Sequence, residues 1–187
     1  MPSSNFRASA ILDSFAAVIQ PHSRIIDLGA GKGLLAQEMA QRFDARVTMV
    51  DVASYNQTQL PLTVCDSRQL AFADASFDYA VLSFVLHHCP HPETLINEAL
   101  RVAREVIVIE NQVEGRIRGA ITRLIDSWPS IQYGTPPCYF TKTRDEWFEW
   151  FSGFPVEARL LKEFSLELGF FRNLTVALIK QDDLNER

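Results

Sequence analysis

Arg24-Ile25-Ile26-Asp27-Leu28-Gly29-Ala30-Gly31-Lys32-Gly33, running on into Leu34-Leu35-Ala36-Gln37-Glu38-Met39, is the stretch that decides the fold. An apolar run ends in an acid, and three glycines follow at alternate positions. Ile25 and Ile26 are β-branched and predict a buried strand. Leu35, Ala36, Met39 and Phe43 predict one face of a helix. Between strand and helix, glycine lets the backbone turn tightly and bring its N–H groups close to a ligand. The start of the helix adds partial positive charge there. A nucleotide-like ligand is the expectation.

Spacing separates the motifs that compete for this turn. A phosphate-binding loop needs G-x-x-x-x-G-K and then Ser or Thr. Gly31-Lys32 is followed by Gly33, and the position five before Gly31 is Ile26, so that reading fails. The dinucleotide fingerprint needs G-x-G-x-x-G. Here the third glycine comes one position early and position 34 is Leu. The pattern is D-x-G-x-G-x-G, opened by Asp27.

Further stretches follow in order. Arg46-Val47-Thr48-Met49-Val50-Asp51 predicts a second strand ending in an acid, about twenty residues past the glycines, where a βαβ unit delivers a carboxylate to a ribose. A carboxylate accepts two charge-assisted hydrogen bonds from a vicinal diol; the bland alternative is a solvated acid at a strand end. Leu62-Thr63-Val64-Cys65-Asp66-Ser67 predicts a third short strand. Leu70 to Asp78 reads L-x-F-x-D-x-S-F-D and feeds a fourth strand, Tyr79 to Ser83, with Ser76-Phe77-Asp78 capping it. Val85-Leu86-His87-His88 then precedes a helix begun by Pro92, which suits a first turn. Leu95, Ile96, Ala99, Leu100 and Ala103 form its apolar stripe. Glu105 to Glu110 predicts a fifth buried strand.

Taken together, these motifs resemble class I S-adenosylmethionine-dependent methyltransferases, in particular the small-molecule branch that includes the quinone-biosynthesis (type 11) enzymes. The resemblance covers roughly residues 20 to 110. It implies a Rossmann-like α/β fold: a seven-stranded, mostly parallel sheet with helices on both faces and a C-terminal antiparallel hairpin. It implies S-adenosylmethionine as cofactor, S-adenosylhomocysteine as product and a small-molecule acceptor. Carried onto this chain, the cofactor-binding positions are Asp27, Gly29, Ala30, Gly31 and Gly33 for the methionine part. Asp51 and Val52 follow for the ribose side, Asp66 and Ser67 for the adenine, and Ser83 near the methionine end. One departure is that Val102-Ala103-Arg104 runs straight into Glu105, where the family usually has a Pro-Gly-Gly turn. Arg101 matches a frequent family position and is expected to be structural.

Ligands of open α/β sheets bind beyond the carboxyl ends of the strands, which puts Ser83 to Pro92 near the transferable methyl group. Three histidines and Cys89 invite a metal reading, but adjacent His87 and His88 converge poorly on one ion and no second cluster follows. No metal is expected. His87 or His88 is a candidate general base or acceptor-orienting group, and a packing or backbone-bonding role stands beside it for at least one of them.

Residues 111–155 read as an insertion in which substrate choice resides, within a single methyltransferase domain spanning 1–187. Ile117, Ile121, Leu124, Ile125 and Trp128 have helical spacing, and Pro129 to Tyr139, with Gly134, Pro136 and Pro137, reads as a loop. Thr143 to Phe151 predicts a helix with Thr143 as N-cap and Glu146 three residues on. Trp147, Trp150 and Phe151 share a face that either walls an apolar acceptor or packs a local core. Arg116, Arg118 and Arg123 either attract an anionic acceptor or line a solvated helix face. Val156 to Phe164 and Leu174 to Lys180 predict the closing hairpin, turning around Gly169, ahead of a polar tail, Gln181 to Arg187.

Upstream, Leu12, Phe15, Ala16 and Ile19 predict a helix over Asn5 to Gln20, stopped by Pro21. It covers a flank of the sheet or closes over the cofactor; both readings stand. The 187 residues suffice for one domain with a substantial core. A net charge of −5 argues against a sequence-independent grip on nucleic acid, which calls for a basic face. Cys65, Cys89 and Cys138 are few and widely spaced, as reduced thiols in the cytoplasm would be. No apolar run is long enough to insert in a membrane, and Met1 to Arg7 lacks the apolar core of a signal peptide. Oligomeric state is left open. Two rivals from other classes remain: a nicotinamide-dependent oxidoreductase, disfavoured by glycine spacing, and a non-catalytic cofactor-binding or partner domain that kept the fold.

Overall fold

A computed structural model describes residues 4–66, 69–114, 137–166 and 171–181. Ser67, the helical spacing of Ile117 to Trp128, Arg116, Arg118, Arg123, Gly134, Pro136 and the turn at Gly169 lie outside the described residues. So does the tail beyond Gln181.

The elements are α1 (Ser4–Leu12), β1 (Arg24–Leu28), α2 (Leu34–Phe43), β2 (Arg46–Asp51), β3 (Leu62–Val64) and β4 (Phe77–Ser83). A 3-10 turn (Leu86–His88) leads to α3 (Pro92–Val102), β5 (Ala103–Gln112), α4 (Arg144–Phe151), β6 (Val156–Leu166) and β7 (Phe171–Lys180). One seven-stranded sheet runs β3-β2-β1-β4-β5-β7-β6. The first five strands pair in parallel, and β7 is antiparallel to both β5 and β6. The expected Rossmann-like sheet and its antiparallel hairpin are both present.

The two-residue period of a strand explains the layering. On β1, Ile25 packs with Phe15, Ala36 and Met39 on one side, while Ile26 packs with Leu95, Ile96 and Ala99 on the other. On β5, Ile107 and Ile109 join the α1–α2 side, and Val106 and Val108 join the α3–α4 side. Parallel strands covered on both faces are apolar along their length. Truncating such a residue to Ala costs about 2–5 kcal/mol.

Several boundaries differ from the sequence reading. The N-terminal helix stops at Leu12, because Ser14 Oγ donates to Ile11 O and bonds the Thr175 hydroxyl, each at 2.6 Å, drawing the chain into tight turns. Leu12, Phe15 and Ile19 are still buried, so the predicted apolar face holds while the helix does not. β4 begins at Phe77, two residues early. Asp78 accepts from Arg24 N at 2.8 Å and pairs its guanidinium at 3.0 Å, tying the starts of β1 and β4 together. β5 follows α3 without a turn, as the missing Pro-Gly-Gly implied: Val102 closes the helix and Ala103 is already extended. Arg101 bridges Glu98 and Asp74 and donates to Leu70 O and Phe72 O, a structural clamp on the β3–β4 connection.

Candidate functional site

Strand order reverses direction at β1, whose neighbours are β2 and β4. The crevice past the strand tips therefore opens there. Gly29, Gly31 and Gly33 all have positive φ, at 80°, 54° and 77°, but they are demanded by different neighbours. A Cβ on Gly29 would lie 2.4 Å from Val85 Cγ2, and one on Gly33 would lie 2.9 Å from Asn56 Oδ1 and from Met49 Sδ. A Cβ on Gly31 would meet nothing within 4 Å. Packing fixes the outer two glycines. The middle one faces open space, and its N–H donates to Asp51 Oδ2 at 2.7 Å. The contact of Gly29 with Val85 also seats the loop against the segment that follows β4.

Asp51 is not a solvated strand end. It is 7% exposed, and its other oxygen accepts from Val52 N at 2.7 Å and Ala53 N at 3.4 Å. Val52 and Val64, at the tips of β2 and β3, are about half exposed, an unusual place for apolar side chains in neighbouring strands. Cys65 N donates to Asp51 O, which brings the chain just before Asp66 alongside Asp51; Asp66 itself is exposed. Ala30 is half-buried and its N–H donates to Val50 O.

Asp27 is the fourth of the five residues of β1, opposite Met49 and Val81. It is 1% exposed, and its Oδ2 has no hydrogen-bond partner among the described residues. Burial, and secondarily the negative charge of Asp51, push its carboxyl up to about 7. A buried carboxylate without a counter-charge is costly, which is why such groups hold protons or bind cations.

A second cluster lies at the tips of β4 and β5. Ser83 is half-buried in register with Ile109, and Phe84 follows at φ 55° with the Arg7 guanidinium 5.2 Å above its ring. His87 is 4% exposed, and its Nδ1 is 2.5 Å from Glu110 Oε2. Glu110, fully buried, accepts from Leu86 N at 2.8 Å with its other oxygen. His88, half-buried, packs against His87 with centroids 4.2 Å apart and the ring planes tilted by 43°. Among the described residues no group of three or more His, Cys, Asp or Glu is arranged to hold a metal.

His87, Glu110, Asn111, Phe140, Thr141 and Trp147 line a narrow crevice with no space for a water molecule. Its roof is the chain before α4. Tyr139 N donates to His87 O at 2.8 Å, Val113 N to Lys142 O at 3.0 Å, and the Trp147 indole to Asn111 O at 3.0 Å. The predicted capping box starts α4, with Thr143 N donating to Glu146 Oε2 and Glu146 N to Thr143 Oγ1. Trp147 and Phe151 are core residues, as the packing reading of that face expects, and Trp147 also lines the crevice. Lys142 Nζ lies 5.4 Å from the Phe140 centroid and 5.9 Å from those of Trp147 and Trp150.

Comparison with known proteins agrees with this geometry. Residues 26–106 match the family described as "Methyltransferase domain". A demethylmenaquinone methyltransferase of Streptomyces avermitilis is 31% identical over 91 residues, which is 46% of this chain and 39% of that protein. A sarcosine/dimethylglycine N-methyltransferase of Halorhodospira halochloris is 25% identical over 155 residues, covering 74% of this chain and 56% of its own length. The chain thus spans about two-fifths to just over half of these relatives. The crystal structure of a SAM-dependent methyltransferase from Aquifex aeolicus superposes with a TM-score of 0.64 at 15% identity, over 92% of this chain and 89% of that one. Residues 26–106 are thus similar to a methyltransferase domain, set in a Rossmann-like fold.

Glu110 escaped the sequence reading as a site feature. The one available signal for Glu110 was its place, since an apolar strand ends in an acid at Ile109-Glu110 as others do at Ile26-Asp27 and Val50-Asp51.

Proposed function

We propose that the protein transfers a methyl group from S-adenosylmethionine to a small-molecule acceptor. The observation that carries this is Asp27: a buried carboxylate with an unpartnered oxygen, in the strand that leads to the open face of Gly31. The residues suit the cofactor. Asp27 is a counter-charge for its ammonium, Gly31 leaves room for its methionine chain, and Asp51 retains acceptor capacity for ribose hydroxyls. Val52, with Asp66 and Ser67, bounds the adenine, and Ser83 and Ala30 flank the methionine end. Gly29 and Gly33 serve by shaping the loop.

When bound, the cofactor supplies an electrophilic methyl group on a sulfonium that is a good leaving group. The chain's own part is positioning, and orienting an acceptor for in-line attack is worth about 7–11 kcal/mol of barrier. Val85 against Gly29 brings His87 and His88 beside that loop. His87 and His88 are the acceptor-side candidates, with His88 packed against the His87 ring. Residues 111–155 form the acceptor-side part of the domain, and the working compartment is the cytoplasm, in keeping with three free thiols. No helix among the described residues is long and apolar enough to cross a membrane.

Titration calorimetry with S-adenosylhomocysteine and with NAD tests the reading. Binding of the first and not the second is expected. Binding of NAD alone, or of neither, would overturn it.

A further inference from the structure

Resting on that reading, we propose that Val85 is a positioning residue. Through its contact with Gly29 it makes the turn after β4, and the roof above that turn, follow the occupancy of the glycine loop, so that the acceptor side takes its final shape only with the cofactor seated.

The contact begins at a strained position. Phe84 follows β4 at φ 55°, a left-handed conformation that a bulky side chain adopts at a cost and only where its surroundings impose it. Here they do. Its N–H donates to Ile109 O at 2.8 Å, and the Arg7 guanidinium lies over its ring. The kink turns the chain off the strand and sets the Val85 side chain into the room that Gly29 leaves. A Cβ on Gly29 would come within 2.4 Å of Val85 Cγ2 and 2.8 Å of Val85 Cβ, so no gap separates the two segments. Close-packed groups pass a displacement on instead of absorbing it.

From Val85 the connection runs through the backbone. Val85 O accepts from His88 N at 3.0 Å and Leu86 O from Cys89 N at 2.9 Å, which makes the 3-10 turn one stiff unit. Leu86 N is tethered to Glu110 Oε1 as a pivot, and His87 O accepts from Tyr139 N at 2.8 Å, so the roof rests on the turn. The crevice under the roof has no space for a water molecule and so offers no slack. At the other end, Gly31 presents open space in the same loop as Gly29. A ligand lodged on Gly31 therefore bears on Gly29, Val85, the turn and the roof in succession.

The test is the backbone N–H resonance of Tyr139 in the full chain, empty and saturated with S-adenosylhomocysteine, with saturation set by calorimetry for each protein. In wild type the ligand is expected to shift that resonance. Val85→Ala opens the contact with Gly29 and is expected to abolish the shift while the protein still binds. Val85→Thr keeps the branched shape and is expected to retain it. A side chain that only fills space would lower the melting temperature of Val85→Ala and leave the ligand-induced shift intact. An unmoved resonance in liganded wild type overturns the proposal, whether or not Val85→Ala folds. So does a shift that survives Val85→Ala, which would mean direct contact between ligand and roof, and so does its loss in Val85→Thr. Loss of binding in Val85→Ala overturns it too, since Val85 would then belong to the binding surface itself. Absence of binding by wild type, read from the calorimetry alone, would instead overturn the cofactor reading on which the proposal rests.

Discussion

Two buried carboxylates stand toward the tips of parallel strands, and they are used in opposite ways. Glu110, in β5, has both oxygens bonded by Leu86 and His87. Asp27, in β1, is as deeply buried, yet its Oδ2 has no partner among the described residues and its carboxyl is pushed up to about 7. Burying a charge is tolerated when it is paired and expensive when it is not. The satisfied acid organises its own neighbours. The unsatisfied one is a standing cost that a bound cation would relieve. The two acids therefore differ in whether neighbouring residues supply their partners.

Removing each acid should break this contrast in a predictable way. Glu110→Ala leaves a buried N–H and a buried imidazole without their acceptor, and should cost about 3–5 kcal/mol in denaturant unfolding, the penalty of breaking a buried pair. Asp27→Asn should leave the empty protein as stable or more stable at neutral pH while weakening S-adenosylhomocysteine by about 10- to 100-fold, the worth of a charge-assisted hydrogen bond. A pH series sharpens the point. A carboxyl whose pKa is raised on folding holds its proton more tightly in the native chain than in the unfolded one. Its contribution favours the fold at low pH and is lost as pH climbs from about 4, the unfolded value, through about 7. Urea midpoints of the empty protein should carry that slope, and Asp27→Asn should flatten it.

The glycines supply the next comparison. Gly29→Ala drives a Cβ into Val85 at a positive φ, and should destabilise by about 2–4 kcal/mol, from overpacking and backbone strain together. Gly31→Ala meets open space and should cost only the strain, about 1–2 kcal/mol. Thermal melts read the difference, and equal losses would mean that the two glycines are held for the same reason. Thr143→Ala removes half of the capping box above the crevice and should cost about 1 kcal/mol.

Much of the β1–α2–β2 unit was legible because it is local. Asp27, the glycines and Asp51 fall within one βαβ unit, where strand ends and turn residues are spelled out in consecutive positions. Which glycine faces open space was not legible. Val85 and Asn56 decide that from elsewhere in the chain. The contacts past the ends of β4 and β5 depend on distant pairs: His87 finds Glu110 twenty-three residues on, and Lys142 finds Gln112 across the end of β5. No periodicity reports such contacts. The shortened N-terminal helix has the same origin, since its apolar spacing was read correctly but Ser14 turns to meet Thr175 from the last strand.

The most direct measurement is calorimetric titration of S-adenosylhomocysteine into wild type and Asp27→Asn, across the pH range around 7 and in two buffers of different ionisation enthalpy. An ammonium docking on Asp27 lowers the carboxyl's pKa, so wild-type binding should release a proton below about pH 7 and tighten as pH rises through it, and the variant should lose Asp27's share of both effects. Equal affinity and equal proton release in the two proteins would contradict the assignment of Asp27 as the cofactor's counter-charge, and no binding by wild type would contradict the methyltransferase reading itself.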